Sequence, residues 1–181
     1  MGVALVIALL APAALLQSTS GSNNNAGILS GPGFAFILAA PEGWVLDDVS
    51  GRKEGLPAVF YKRGESWSRA TVVMYANPVR KSKGETAGSI IAADVRRFHE
   101  RNPGVVVEDG PPVAVTGGRM LPVKVFRRTK AGDNEVVAYA DESSCVVMIV
   151  LSGTADGVRD ARASFGELLR TYTFITTEVR E

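Results

Sequence analysis

The chain contains one cysteine, Cys145, and one histidine, His99. A Cys/His pair is the smallest constellation that activates a nucleophile, because a neighbouring imidazole removes the thiol proton and the thiolate attacks. The two residues are remote in sequence, so only the fold can bring them together. Cys145 opens the run Cys145-Val146-Val147-Met148-Ile149-Val150-Leu151, which reads as a strand buried on both faces, where a thiol packs as a small hydrophobe. His99 follows Phe98 among Arg96, Arg97, Glu100 and Arg101, a solvated setting near a helix end. Neither is assigned a catalytic role. Zinc would need carboxylates in addition to these two residues, and no metal-ligand spacing is present. No catalytic, cofactor-binding or metal-ligating residue is therefore assigned, and no cofactor is expected.

Carboxylates are the next source of chemistry. Asp47-Asp48, Asp109 and Asp141-Glu142 fall in expected turns, where the fold would have to bring two together for hydrolysis or divalent-ion binding. Asp133-Asn134-Glu135 is too short for a calcium loop. Arg127-Arg128-Thr129-Lys130 is the densest basic patch, with Arg52-Lys53 and Lys81-Ser82-Lys83 elsewhere, and its place at a hairpin tip predicts solvation. Gly31-Pro32-Gly33 and Gly117-Gly118 lack the lysine and the strand-to-helix setting of a phosphate loop and read as turns. Trp67, in Gly64-Glu65-Ser66-Trp67-Ser68, is an expected exposed binding anchor, whereas Trp44 is expected in the core.

These residues need a scaffold, and the chain spells one out. Phe34-Ala35-Phe36-Ile37-Leu38 predicts a strand ending at the turn Pro41-Glu42-Gly43-Trp44, followed by strands at 44–46 and 58–61. Residues 70–76 alternate with period two, Ala70, Val72, Met74 and Ala76 on one side, and are expected to stop at Asn77-Pro78. Thr86 is an expected N-cap for a helix whose stripe is Ala87, Ile91, Val95 and Phe98, ended by Asn102-Pro103-Gly104. Two short strands, 105–108 and 113–115, flank Asp109-Gly110-Pro111-Pro112. A meander follows: Leu121, Val123 and Val125 alternate around Pro122, whose missing amide predicts an edge or bulge; residues 135–140 and the Cys145 strand come next. One helix is expected over 155–170, with Val158, Ala161, Phe165 and Leu168 inward, then a strand at 172–175. Strands, helix, antiparallel meander, helix and strand predict one large, mostly antiparallel sheet flanked by helices.

Residues 3–16 are uninterruptedly apolar, and no charged residue precedes Glu42. As a helix this run is about 20 Å long, short of a bilayer span, and it matches the hydrophobic region of a secretory signal peptide despite lacking a basic start. The expected organisation is a signal peptide or N-terminal hydrophobic segment at 1–20, a flexible polar linker at 21–32, a single domain at 33–176 and a tail at 177–181. Roughly 160 residues after the leader is a one-domain length. Twenty basic against nineteen acidic residues give a net charge of +1, which argues against a dedicated nucleic-acid binder. One cysteine excludes an intrachain disulfide.

The segment from Phe34 to Trp44, together with the strand at 70–76, the helix around Ile90 and His99, the Gly118-Arg119 turn and the unit from Phe165 to Phe174, resembles the Mog1/PsbP-like superfamily. The likeness spans most of residues 33–176. It implies an α+β fold, an α/β/α sandwich around a mostly antiparallel sheet, and no shared enzyme mechanism. Proteins of this kind include a nuclear transport factor that binds a small GTPase, lumenal photosystem II proteins and bacterial exported proteins. The expected function is that of a noncatalytic extracytoplasmic protein-binding or assembly scaffold, periplasmic or secreted. Its expected partner is another envelope or exported protein, with no integral membrane domain after signal removal. The alternative is a small-ligand-binding protein or hydrolase with a carboxylate or Cys/His site, or a membrane-associated chain held by an uncleaved leader.

Overall fold

The computed structural model describes residues 25–129 and 133–175. The expected signal peptide or hydrophobic segment at 1–20, the first part of the expected linker, residues 130–132 of the basic stretch and the expected tail at 177–181 lie outside the described residues. Ten strands are described: β1 Ala26–Gly31, β2 Phe34–Ala39, β3 Trp44–Asp47, β4 Ala58–Lys62, β5 Val72–Arg80, β6 Val106–Ala114, β7 Met120–Arg127, β8 Asn134–Asp141, β9 Cys145–Gly153 and β10 Thr173–Phe174. The helices are α1 Asp48–Lys53, α2 Ala87–Arg101, α3 Ala155–Asp160 and α4 Arg162–Arg170. None of the described helices is long and apolar enough to cross a membrane.

The strands form two sheets rather than one: a three-stranded sheet ordered β1-β2-β10 and a seven-stranded sheet ordered β3-β4-β5-β9-β8-β7-β6. Every pairing is antiparallel. The turn from Pro41 to Trp44 separates the sheets. Trp44 N donates to Pro41 O at 3.0 Å, and Gly43 has φ +77°, a left-handed backbone that glycine adopts without a Cβ penalty. The turn is evident in the sequence; its sending consecutive strands to different sheets is not.

The expected polar linker at 21–32 is corrected by β1, which pairs along its whole length with β2 across the Pro32-Gly33 turn. Its Ile28 and Leu29 supply the apolar residues that the preceding Ser/Asn/Gly stretch lacks. The strand expected to stop at Asn77-Pro78 continues to Arg80, because β9 pairs with it throughout. Since β4 begins at Ala58, opposite Ala76, β5 has an unpaired side beyond that point and tolerates proline there.

The two expected strands around Gly110 are one strand, β6, with a register shift between Gly110 and Val113. Pro111 and Pro112 face Pro122 across that shift, two residues against one, so a bulge absorbs the three missing amides. The expected 155–170 helix is two segments joined at Ala161, where φ is −87° and ψ is 0°. α3 packs on β8 and β9 while α4 packs on β6 and β2, yet Val158, Ala161, Phe165 and Leu168 all reach the core as expected. A short helix, α1, replaces the expected turn after Asp47. Asp47 caps it by accepting from Ser50 N at 2.8 Å, and Gly51 lies so close to the Ala58 backbone that a Cβ would stand 2.7 Å from Ala58 Cα.

The seven-stranded sheet buries both faces. Along β9, Cys145, Val147, Ile149 and Leu151 enter one cluster, beneath α3, α4 and the small sheet, while Val146, Met148 and Val150 enter the other, beneath α2. The first face is closed by Phe36, Leu38, Trp44, Phe165, Leu168 and Tyr172. The second is covered by α2, set by a reciprocal capping box between Thr86 and Ser89.

A candidate functional site under helix α2

The residues first weighed for catalysis do not converge. Cys145 is buried in the cluster beneath α3 and α4, whereas His99 is exposed on α2, which covers the opposite face. Burial pushes the Cys145 thiol up, away from thiolate chemistry. The acidic turns are taken up by structural pairing. Glu142 pairs with Arg119 and accepts the Tyr172 hydroxyl at 2.8 Å, while Lys81 pairs with Asp141 and donates to the Glu142 carbonyl at 2.5 Å. Arg119 also donates to the Asp141 carbonyl at 2.9 Å, tying the β8–β9 turn to the chain around β7 and α4. Asp109 is held by Lys124 at 2.6 Å. Burial alone would raise the Asp47 carboxyl, but hydrogen bonds from Ser50, Tyr61 and the Val49 backbone hold it below its ordinary value. Its partner Tyr61 is pushed up to about 12 by burial and by that carboxylate.

The basic tip is not uniformly solvated. Arg127 pairs with Glu108 at 3.2 Å, but Thr129 is buried, its hydroxyl donating to Asp133 O at 3.0 Å. Arg52 pairs with Asp48 on α1 at 2.6 Å, and Lys81 is largely buried. Trp67, expected as an exposed anchor, is half-buried and meets Tyr75 edge-on with ring centroids 6.3 Å apart. Trp44 is in the core. The exposed large apolar side chains among the described residues are Ile28, Val49, Val106 and Met120, none of them in the Trp67 loop.

A different set of residues does converge. In α2, Asp94, Arg97, Phe98 and Arg101 follow one another at spacings of three, one and three, so they share one helix face. Below them, period-two alternation puts Tyr75 and Asn77 of β5, Met148 and Val150 of β9, and Glu135 and Val137 of β8 on the same sheet face. The register aligns them in rows: Tyr75 beside Val150 beside Val137, then Asn77 beside Met148 beside Tyr139. Helix and sheet enclose a cleft of about 360 Å³, with Thr129 and Asp133 at its end. Phe98 stacks on Phe126 with centroids 4.0 Å apart, which anchors the helix end over the sheet.

Among the described residues, the two carboxyls raised by burial, Asp94 and Glu135, both line this cleft. Asp94 is only 4% exposed. Its Oδ2 accepts the Tyr139 hydroxyl at 2.8 Å, while Arg97 Nη1 stands 3.9 Å from Oδ1, beyond hydrogen-bond reach. Burial raises the Asp94 carboxyl despite both partners. Glu135 is pushed up to about 7 by burial and by the Asp94 and Asp133 charges, with the Ser152 hydroxyl opposing. Burial and the same carboxylates push the Tyr75 and Tyr139 hydroxyls well up. The acids that stand out in the sequence are those of expected turns, and Asp94 is not among them. Its signal was positional: it lies four residues after Ile90 and four before Phe98, on the inward stripe of an amphipathic helix.

A second depression, about 380 Å³, lies between β1 and β3, the terminal strands of the two sheets. Ile28 on β1 is 68% exposed and Val49 on α1 is 55% exposed. Among the described residues no group of three or more His, Cys, Asp or Glu side chains is placed to hold a metal ion.

Sheet-dominated, with antiparallel pairing throughout and few helices, the chain has a PsbP-like fold. It matches the solution structure of cyanobacterial PsbP (CyanoP) from Synechocystis sp. PCC 6803 with a TM-score of 0.53 and 16% sequence identity, over 88% of this chain and 99% of that one. No family model matches the chain, and no curated protein matches it.

Proposed function

We propose that the protein is a noncatalytic extracytoplasmic scaffold, an α/β/α sandwich exported by its apolar N-terminal segment, that binds another envelope or exported protein. The observation that supports this reading is the meeting of two terminal strands, β1 and β3, around one depression lined in part by the exposed Ile28, with the exposed Val49 next in sequence to its lining residue Asp48. A terminal strand presents unpaired N–H and C=O groups, and an extended segment of a partner can add to it while apolar side chains fix its position. Affinity capture of the tagged, exported chain from envelope extract tests this. A partner recovered with the wild type and lost with Ile28→Asp/Val49→Asp supports it. Recovery of only the proteins that also bind an unrelated exported control overturns it. N-terminal sequencing of the captured chain should find the leader removed, and an intact Met1 in the cytoplasmic fraction contradicts export.

The second reading is that of a small-ligand-binding protein using the cleft under α2. What favours it is the placing of Asp94 and Glu135 in one cleft of about 360 Å³, a size typical of ligand sites. The Cys145/His99 version of the enzymatic alternative has no geometric support, because the two residues belong to opposite faces of the sheet.

A further inference from the structure

We propose that the cleft under α2 binds a free α-amino acid with an apolar side chain, a reading that rests on the small-ligand use of the cleft. Three features select this ligand. The cleft carries both signs of charge, Asp94, Arg97 and Arg101 from α2 and Glu135 from β8. A simple cation would leave the arginines without a role and would be repelled by them; a simple anion would meet the carboxylates.

The opposed groups are also neighbours that fall short of contact. Arg97 Nη1 and Asp94 Oδ1 are 3.9 Å apart, so each retains hydrogen-bonding capacity for a ligand atom. An ammonium and a carboxylate on one carbon match that closeness. The termini of a peptide are separated by its backbone and do not. Part of the remaining wall, Tyr75, Phe98, Val137, Met148 and Val150, is apolar or aromatic and suits a hydrocarbon side chain, beside the polar Asn77, Asn102, Thr129 and Asp133.

The ligand ammonium donates to Asp94 Oδ1 and the Glu135 carboxylate, and the ligand carboxylate accepts from Arg97 and Arg101. Binding so arranged places a positive charge beside the group most in need of one, because Glu135 faces Asp94 and Asp133. Affinity therefore rises with pH through about 7 as Glu135 ionises. The other charged or titratable groups facing the cleft are Asp94, Arg97 and Arg101 from α2, Asp133 and Tyr139 at β8 and Tyr75 from β5. His99 is exposed on the same helix, so His99→Gln serves as the control for that profile.

Isothermal titration of the full chain with L-leucine and L-phenylalanine, against phenethylamine and hydrocinnamate as single-charge analogues, tests the proposal. The amino acids should bind at least about tenfold more tightly than either analogue, a difference of about 1.4 kcal/mol. Glu135→Gln should weaken the amino acids by about tenfold and remove the pH profile, while His99→Gln leaves it in place. Arg97→Gln, at a side chain 53% exposed, should weaken the amino acids without weakening phenethylamine. If phenethylamine binds as well as phenylalanine, the zwitterion proposal fails while the small-ligand reading stands. If no probe binds at millimolar concentration, both fail.

Discussion

The two faces of the seven-stranded sheet are built from the same strands and do different things. On β8, Val136, Ala138 and Ala140 point into a closed apolar cluster, while Glu135, Val137 and Tyr139 point toward α2. On β9, Ile149 and Leu151 join the first set, and Met148 and Val150 the second. The closed face meets α3, α4 and the small sheet, and its side chains are almost wholly removed from water. The face under α2 meets one helix, keeps a cleft, and buries a carboxylate beside a half-buried one. The closed face accounts for stability through apolar burial. The other retains groups whose charge burial disfavours, an arrangement that recurs at functional sites.

That contrast predicts mutational effects of opposite sign. Leu168→Ala, on the closed face, should lower stability by about 2–5 kcal/mol in urea unfolding, since it removes fully buried methyl groups and leaves a cavity. Glu135→Gln should stabilise the protein at about pH 8. Its folded pKa, about 7, lies above the ordinary 4.5, so its contribution to stability is fully present below about pH 4.5 and is lost as pH rises through 7. The rise sets a ceiling near 3 kcal/mol, and solvent contact of the half-buried side chain reduces the expected effect to about 1–2 kcal/mol. Wild type and Glu135→Gln unfolding curves should therefore converge between about pH 8 and pH 5. A wild type that is the more stable at both ends contradicts the assignment of Glu135 to a disfavoured charge.

Tyr139→Phe tests the other carboxylate. Loss of the hydroxyl that donates to Asp94 Oδ2 should cost about 1–2 kcal/mol, and more at alkaline pH, where Asp94 is ionised, than at acid pH. An equal loss at all pH values would place the effect in packing instead. The smallest effect is expected at the start of α2. Thr86→Ala removes one half of the capping box and should cost about 1 kcal/mol by thermal or urea unfolding, with the cleft otherwise intact.

Much of the scaffold is legible in the sequence because it obeys short-range rules. Thr86 caps α2 as its type and position suggest, Cys145 through Leu151 form a strand buried on both sides, and Pro122 sits at a bulge. Legibility fails where partners distant in sequence decide. Pro78 lies within a strand because β9 pairs beside it, β1 is a strand because β2 returns on it, and the Pro41–Trp44 turn divides two sheets rather than joining strands of one. The site was hidden for a related reason. Asp94 and Glu135 are far apart in the chain, and each has an ordinary local context, a helix interior and the start of a strand. Only the register of β5, β9 and β8 beneath one face of α2 brings them into the same cleft, and their altered ionisation is a property of that enclosure.

The most direct test of a functional face beneath α2 is a carboxylate-detected NMR titration of Glu135 in the full chain, assigned with Glu135→Gln. A midpoint near 7 is the result expected of a carboxyl enclosed beside Asp94 and Asp133. A midpoint near the ordinary 4.5 would contradict it, because the cleft would then be no more than a solvated groove under a helix.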